Sequence, residues 1–169
     1  MNTIQEYLEK QVAARNCDSE LCAERPDPLM IARLYRDPHH ALTCALFAYG
    51  NVKAIIAFIA SLDIGLQKLS EDELRFQVKN KYYRFQKNED VVQWFLTLQK
   101  LIAMGGAERV FMRGYRTGGV IEGLSALIDT LYTLNPYRSQ GYEFLIGKPI
   151  QSVAKASAMK RWMMYLRWM

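Results

Sequence analysis

The segment His39–Leu62, HHALTCALFAYGNVKAIIAFIASL, decides the fold class. Its apolar residues recur at helical spacing over a length that no buried strand reaches, so it reads as helix. Gly50 stands near its middle and implies either a kink in one helix or a break into two. Asn51 and Lys53 interrupt the apolar run from Ala41 to Ala60, which makes it a poor membrane span.

The same period continues on both sides. Upstream, Thr3 and Glu6 have capping-box spacing, and Ile4, Tyr7, Leu8 and Val12 follow at helical intervals. Cys17 to Pro28 is polar and reads as a connector. A helix starts near Leu29 and stops before Pro38, because the residue preceding proline disfavours the α region. Downstream, Ser70 and Glu73 form a second capping box. Asp90–Ala103 is amphipathic, with Val91, Phe95, Leu98 and Ile102 on one stripe, and Gly105-Gly106 ends it. Gly114 to Gly119 reads as a turn, and Val120–Leu134 resumes the helical period until Asn135-Pro136. Tyr142–Ile146 is a short apolar piece before the Gly147-Lys148-Pro149 turn, and a last helix runs from Ser157 to the end. Alternating strand patterns are nearly absent. The expectation is an all-α protein, one domain over residues 1–169, with a carboxyl-terminal hairpin at about 139–169 packing on an earlier bundle.

The 169 residues suffice for one compact domain or two small lobes. With 50% hydrophobic and 23% charged residues, a mostly disordered chain is excluded. Three cysteines and no basic-then-apolar leader point to a reducing, cytoplasmic location. The net charge of +5 is concentrated: residues 144–169 hold Lys148, Lys155, Lys160, Arg161 and Arg167 and no acid, so the remainder is neutral. A basic, aromatic-rich end suits a polyanion.

Several chemistries have no motif here. HExxH, GxGxxG, a Walker-type loop and GxSxG are all missing from the sequence. Cys17, Cys22, His39 and His40 match no usual zinc spacing, and no metal is expected; Cys44, among Leu42, Ala45 and Leu46, reads as core. The informative residue is Lys160. Ser157 is a fair N-cap, which puts Lys160 in the first helical turn, where the helix dipole and the neighbouring Lys155 and Arg161 disfavour an ammonium. An uncharged amine there can attack an electrophilic carbon. The plainer reading is a solvated charge, with Trp162, Tyr165, Leu166 and Trp168 as core.

Four blocks carry a resemblance: Tyr35-Arg36-Asp37-Pro38, Ala48-Tyr49-Gly50-Asn51-Val52-Lys53, Tyr82-Tyr83-Arg84-Phe85, and Lys160-Arg161-Trp162-Met163-Met164-Tyr165-Leu166-Arg167-Trp168-Met169. In this order they resemble the bacterial DUF2400 family, itself similar to helix-hairpin-helix DNA glycosylases that excise 8-oxoguanine. The resemblance implies a two-lobed helical bundle and a monomeric, nucleoid-associated repair enzyme acting on damaged duplex DNA without metal or organic cofactor. It makes Lys160 the Schiff-base nucleophile of a glycosylase with AP-lyase activity. Asn51 would fill the gap left by an extruded nucleotide, with Lys53 on a flanking phosphate. Lys155, Ser157 and Arg161 would contact DNA from a degenerate hairpin, and Phe47, Phe85, Trp162 and Trp168 are candidates for stacking on a base. Such enzymes also use an aspartate beyond the lysine; here it is expected past Met169 in a continuation of the chain, the alternative being that this copy has lost the carboxylate. The alternative is a non-catalytic helical protein that recognises bent or damaged DNA; a protein–protein adaptor using the Trp-Met-Tyr face is a third possibility.

Overall fold

The computed structural model describes residues 3–15, 21–22, 24–150 and 159–169. Among them the regular structure is helical, with no strand; Cys22 with Arg25 and Tyr83 with Gln86 form isolated bridges. The protein is all-α.

The deciding segment breaks rather than kinks. Asp37 caps α3 (Pro38–Phe47), its carboxylate accepting from the amides of His39 at 2.9 Å and His40 at 2.7 Å. Pro38 occupies the first helical position, where a missing N–H is no loss. Beyond Phe47 the chain turns through Gly50, whose φ of 104° suits glycine alone. Asn51 then caps α4 (Val52–Ala60), accepting from the amides of Lys53 and Ala54. Two helices at an angle replace the single rod that uninterrupted apolar periodicity would have given.

Helix α3 is the centre of the molecule. Every residue from His40 to Phe47 is buried, and α2 (Pro28–Ala32), α4, α7 (Gly106–Gly118), α9 (Gln140–Ile146) and α10 (Lys160–Trp168) pack on it. Trp94 of α6 (Asn88–Ala103) donates its indole N–H to Thr43 Oγ1 at 3.0 Å, and Thr43 donates to the His39 carbonyl, so the buried polar atoms at the α3–α6 contact are satisfied. On α6 the expected stripe buries Val91, Phe95 and Leu98, with Ile102 partly covered. The Ser70–Glu73 capping box starts α5 (Glu71–Gln77), after a short 3₁₀ turn at Ile64–Lys68. The first helix, α1 (Thr3–Arg15), forms as its pattern predicts but buries no residue.

Three boundaries differ from the sequence reading. Helix α2 ends at Ala32, short of Pro38, and the chain passes through Arg36 in left-handed conformation before the Asp37 cap. Gly114–Gly119 is not a turn: α7 continues to Gly118, and only Gly119 separates it from α8 (Val120–Leu134). Gly114 serves close packing, since a Cβ there would lie 2.3 Å from the Glu122 carbonyl oxygen. Helix α10 starts at Lys160, after Met159 in left-handed conformation; Ser157 and Lys155 lie outside the described residues. No helix among the described residues is long and apolar enough to cross a membrane.

Candidate functional site

The second, third and fourth signature blocks converge on one face, and buried polar groups hold them there. Asp90, 1% exposed at the start of α6, accepts from the Lys87 amide at 2.7 Å, from Tyr137 Oη at 3.0 Å and from the Ser139 hydroxyl. Ser139 in turn caps α9 through the Tyr142 amide. Gln86, also 1% exposed, donates to the Gly141 carbonyl at 2.7 Å and accepts from the Tyr49 hydroxyl. The loop after α3, the Tyr82–Phe85 loop and α9 are thereby fastened together. Fully satisfied buried networks of this kind specify one geometry.

Residues 83–86 make a tight two-residue turn, with Tyr83 and Gln86 exchanging backbone hydrogen bonds at 2.9 Å in both directions. Arg84 opens that turn at φ 52°, a conformation where glycine is the ordinary choice. Its guanidinium lies above Gly50, where a Cβ would approach it to 2.8 Å. It also faces the rings of Tyr49 and Phe85 at 6.0 and 5.9 Å. Tyr49 stacks near-parallel on Phe85 and meets Phe144 of α9 edge-on, while Phe85 and Phe144 lie 4.7 Å apart. Phe85 and Phe144 are 47% and 40% exposed, so this aromatic platform presents a large apolar surface to solvent.

Arg161 closes the platform from below. It donates to the carbonyls of Leu46 and Phe144, each at 2.5 Å, and its charge sits 5.1 Å from the Tyr49 ring centre and 5.0 Å from that of Phe144. Burial pushes its pKa down, while burial raises that of Tyr49 to about 12. Two hollows share Arg161, Lys148 and Gly147. One, of about 270 Å³, is bounded by Lys160, Lys148 and Arg161 over walls of Ile128, Ile146 and Trp162. The other, of about 500 Å³, adds Phe144, Gln140 and Glu143. Lys160 is exposed on the first turn of α10 and faces a concave surface rather than bulk solvent alone.

The residues expected from sequence divide into three groups. Lys160, Arg161 and Phe85 lie on or beside this face. Asn51 is exposed next to it, but its side-chain oxygen is engaged as the α4 cap; Lys53 is exposed in the following turn. Phe47 and Trp162 are corrections: at 0% and 3% exposed they are core, Phe47 packed on Phe58 and Tyr83, Trp162 donating to the Ile146 carbonyl at 2.9 Å. Phe47 offers no surface to an inserted base, and Trp162 contributes only a wall of the Lys160 hollow. Trp168 lines a separate hollow of about 560 Å³ with Arg36, Asp37 and Pro38, so the first block meets the end of the fourth at that point. Sequence reading missed Tyr49, Arg84, Phe144 and Lys148 as site residues. Two of them lay inside quoted blocks, but a non-glycine residue at positive φ leaves no mark in a single sequence.

Among the described residues no group of three or more His, Cys, Asp or Glu side chains is placed to hold a metal ion. His39 and His40 point apart: His39 Nε2 accepts from the Ala107 amide at 3.4 Å, while His40 Nε2 lies 3.2 Å from the Ile31 carbonyl and 3.5 Å from Cys44 Sγ. Cys17 lies outside the described residues.

No curated protein and no solved structure matches the chain. One family model does, over residues 27–169, which takes in all four blocks and every helix except α1. The chain belongs to the family described as "Protein of unknown function (DUF2400)".

Proposed function

We propose that this protein is a DNA glycosylase with AP-lyase activity, built as a two-lobed helical bundle of the helix-hairpin-helix type, which removes an oxidised purine such as 8-oxoguanine. One observation carries the reading: the amine of Lys160 stands at the rim of a cleft whose other charged lining groups are Lys148 and Arg161, beside an exposed aromatic platform. Excision needs those three elements together. Cations neutralise the phosphates flanking an extruded nucleotide, aromatic faces replace the stacking it loses, and a nucleophile must reach the sugar. Lys160 Nζ would attack C1′, and the bond from C1′ to the base would break, with the base leaving on the bonding pair and taking up a proton. The C1′–O4′ bond would then open, O4′ taking up the proton that the nitrogen gives up, to leave an imine; loss of a C2′ proton would expel the 3′ phosphate, and hydrolysis of the imine would return the amine.

The test is borohydride trapping of the full chain on a duplex containing 8-oxoguanine. Wild type is expected to form a covalent adduct and Lys160→Gln none; no wild-type adduct, or an undiminished one in the variant, overturns the nucleophile. A second reading, a non-catalytic binder of damaged or bent DNA, is favoured by one observation: the described lining of the Lys160 cleft contains no carboxylate to take up a proton from the amine. It predicts salt-sensitive duplex binding without cleavage, retained in kind by Lys160→Gln.

A further inference from the structure

Helix α7 carries a second set of unbalanced cations that the Lys160 cleft does not include. Its inner face, Gly106, Ala107, Val110 and Gly114, is buried. On the outer side Arg109, Arg113 and Arg116 are exposed and line one shallow concavity of about 400 Å³. They are spaced i, i+4, i+7 and so form a narrow stripe about 10 Å long.

The acids closest in sequence are turned elsewhere. Glu108 lies a third of a turn round the helix, near enough to Tyr165 of α10 to help raise its pKa. Glu122 packs where a Cβ on Gly118 would sit. Among the described residues none of the three arginines has an ion pair or a side-chain hydrogen bond, whereas Arg75, Arg138 and Arg161 are each anchored by carboxylates or carbonyls. Arg116, in the last turn, is favoured by the helix dipole, but like charges at i, i+4 and i, i+3 repel and oppose the helix, so the stripe as a set is not the arrangement that α7's own stability would select. The helix that bears it is rigidly held: Cβ atoms at Gly114 and Gly123 would collide with the Glu122 backbone at 2.3 Å and with the Phe111 ring at 2.5 Å.

We infer that this stripe is a nucleic-acid backbone contact, which binds successive phosphates of duplex DNA without reading sequence. Guanidinium forks match phosphate oxygens, and a straight row of them matches a linear polyanion better than a single anion or a compact acidic side chain. The cavity wall offers Met104, Val110 and Met112 and no aromatic ring, which suits backbone holding and not base stacking. The choice of DNA as the polyanion rests on the reading proposed for the Lys160 cleft, but the contact is independent of the chemistry of Lys160.

The experiment measures binding of the full chain to an undamaged duplex by fluorescence anisotropy between about 50 and 200 mM salt, where phosphate contacts dominate. The variants are Arg109→Gln/Arg113→Gln/Arg116→Gln and, as a charge-matched control, Lys10→Gln/Lys68→Gln/Lys79→Gln, all at exposed positions. With circular dichroism and melting unchanged, the arginine variant should flatten the slope of log K against log salt by about 2–3, near 0.9 for each lost phosphate contact, and the lysine control should not. An unchanged slope, equal flattening by both variants, or loss of binding to anionic vesicles in place of loss on duplex overturns the inference. Borohydride trapping of wild type separates the two readings: if wild type gives no adduct while the arginine effect persists, only the glycosylase chemistry falls, and the arginine effect is expected unchanged in Lys160→Gln.

Discussion

Arg75 and Arg84 are close in sequence and sit in opposite electrostatic surroundings. Arg75, on α5, donates to Glu71 at 2.7 Å and to Glu89 at 2.5 Å, bracing α5 against α6. Those hydrogen bonds raise its pKa and lower that of Glu89. Arg84 has no carboxylate; it is held over two aromatic rings on a strained turn. The linings of the Lys160 cleft and of the α7 stripe share only the lack of a carboxylate among the described residues. A cation matched by acids acts as a brace, while one without an acid partner leaves its charge uncompensated. Strain retained where glycine would relieve it marks a side chain kept for its contacts.

The most damaging way to break this contrast is Gly141→Ala. A Cβ at 141 would lie 2.4 Å from the Phe85 carbonyl oxygen and 2.3 Å from Asp90 Oδ2, and neither group can move without releasing the joint between α9 and the Arg84 turn. Overpacking of this kind costs about 1–3 kcal/mol and more when the obstacle is backbone. A Tm lower by about 4–10 °C is expected, at about 2–4 °C per kcal/mol for a chain of this length. Gly119→Ala is the comparison: its Cβ would meet nothing within 4 Å, so its loss is all backbone, φ 88° and ψ −156° being a region essentially reserved to glycine, at about 1–3 kcal/mol. A loss below about 1 kcal/mol in Gly141→Ala would show that the α9 joint is not the tight point.

A sharper, smaller test exchanges the two arginines' roles. Arg84→Gly relieves the positive φ and forfeits cation–π contacts worth about 0.5–1 kcal/mol at exposed sites, so the two effects largely cancel. Melting should shift by less than about 2 °C, while duplex affinity drops roughly tenfold, the size of one charge-assisted hydrogen bond. Arg75→Gln should do the reverse, lowering stability by about 0.5–1 kcal/mol, as exposed ion pairs do, and leaving affinity unchanged. If both variants weaken binding alike, the distinction between brace and ligand group is lost.

Much of the scaffold was legible because it follows from local rules. The Ser70 capping box, the Asp90–Ala103 stripe and the end of α8 at Asn135 are each set by neighbouring residues. The glycines were harder. Gly50 and Gly114 look alike in sequence, yet one supplies a left-handed turn and the other lets α7 and α8 touch, and only the partner helix decides between them. The aromatic residues failed for a related reason: Phe47 and Phe85 are the same residue type, and burial on α3 against exposure on a turn tip is a tertiary outcome. Lys160 and Arg161 could be singled out because charge and position along the chain are enough to mark them. Arg84 could not, since its importance rests on the ring stack beneath it.

The smallest effect separates the two kinds of site along the pH axis. His39 joins α3 to the start of α7 by accepting the Ala107 amide, which requires an unprotonated Nε2, and His40 sits buried against Ile31. Burial lowers the pKa of both below the ordinary value of 6.5, with the Asp37 charge opposing. The unfolded chain then binds protons that the folded chain refuses, so the histidines' stability is fully present above pH 6.5 and is lost as pH falls through their lower folded values. Glu89 is depressed by Arg75, so its contribution is intact above its ordinary 4.5 and fades only as pH falls through its still lower folded value. Melting should therefore weaken in two steps on acidification, the first at the α3–α7 joint, with a slope below about 1.4 kcal/mol per pH unit for each proton. His39→Gln keeps an acceptor for Ala107 but cannot charge, and should flatten the first step alone. A first step that survives intact in that variant and disappears in Arg75→Gln would assign it to the carboxylate brace, and the separation between the two regions would collapse.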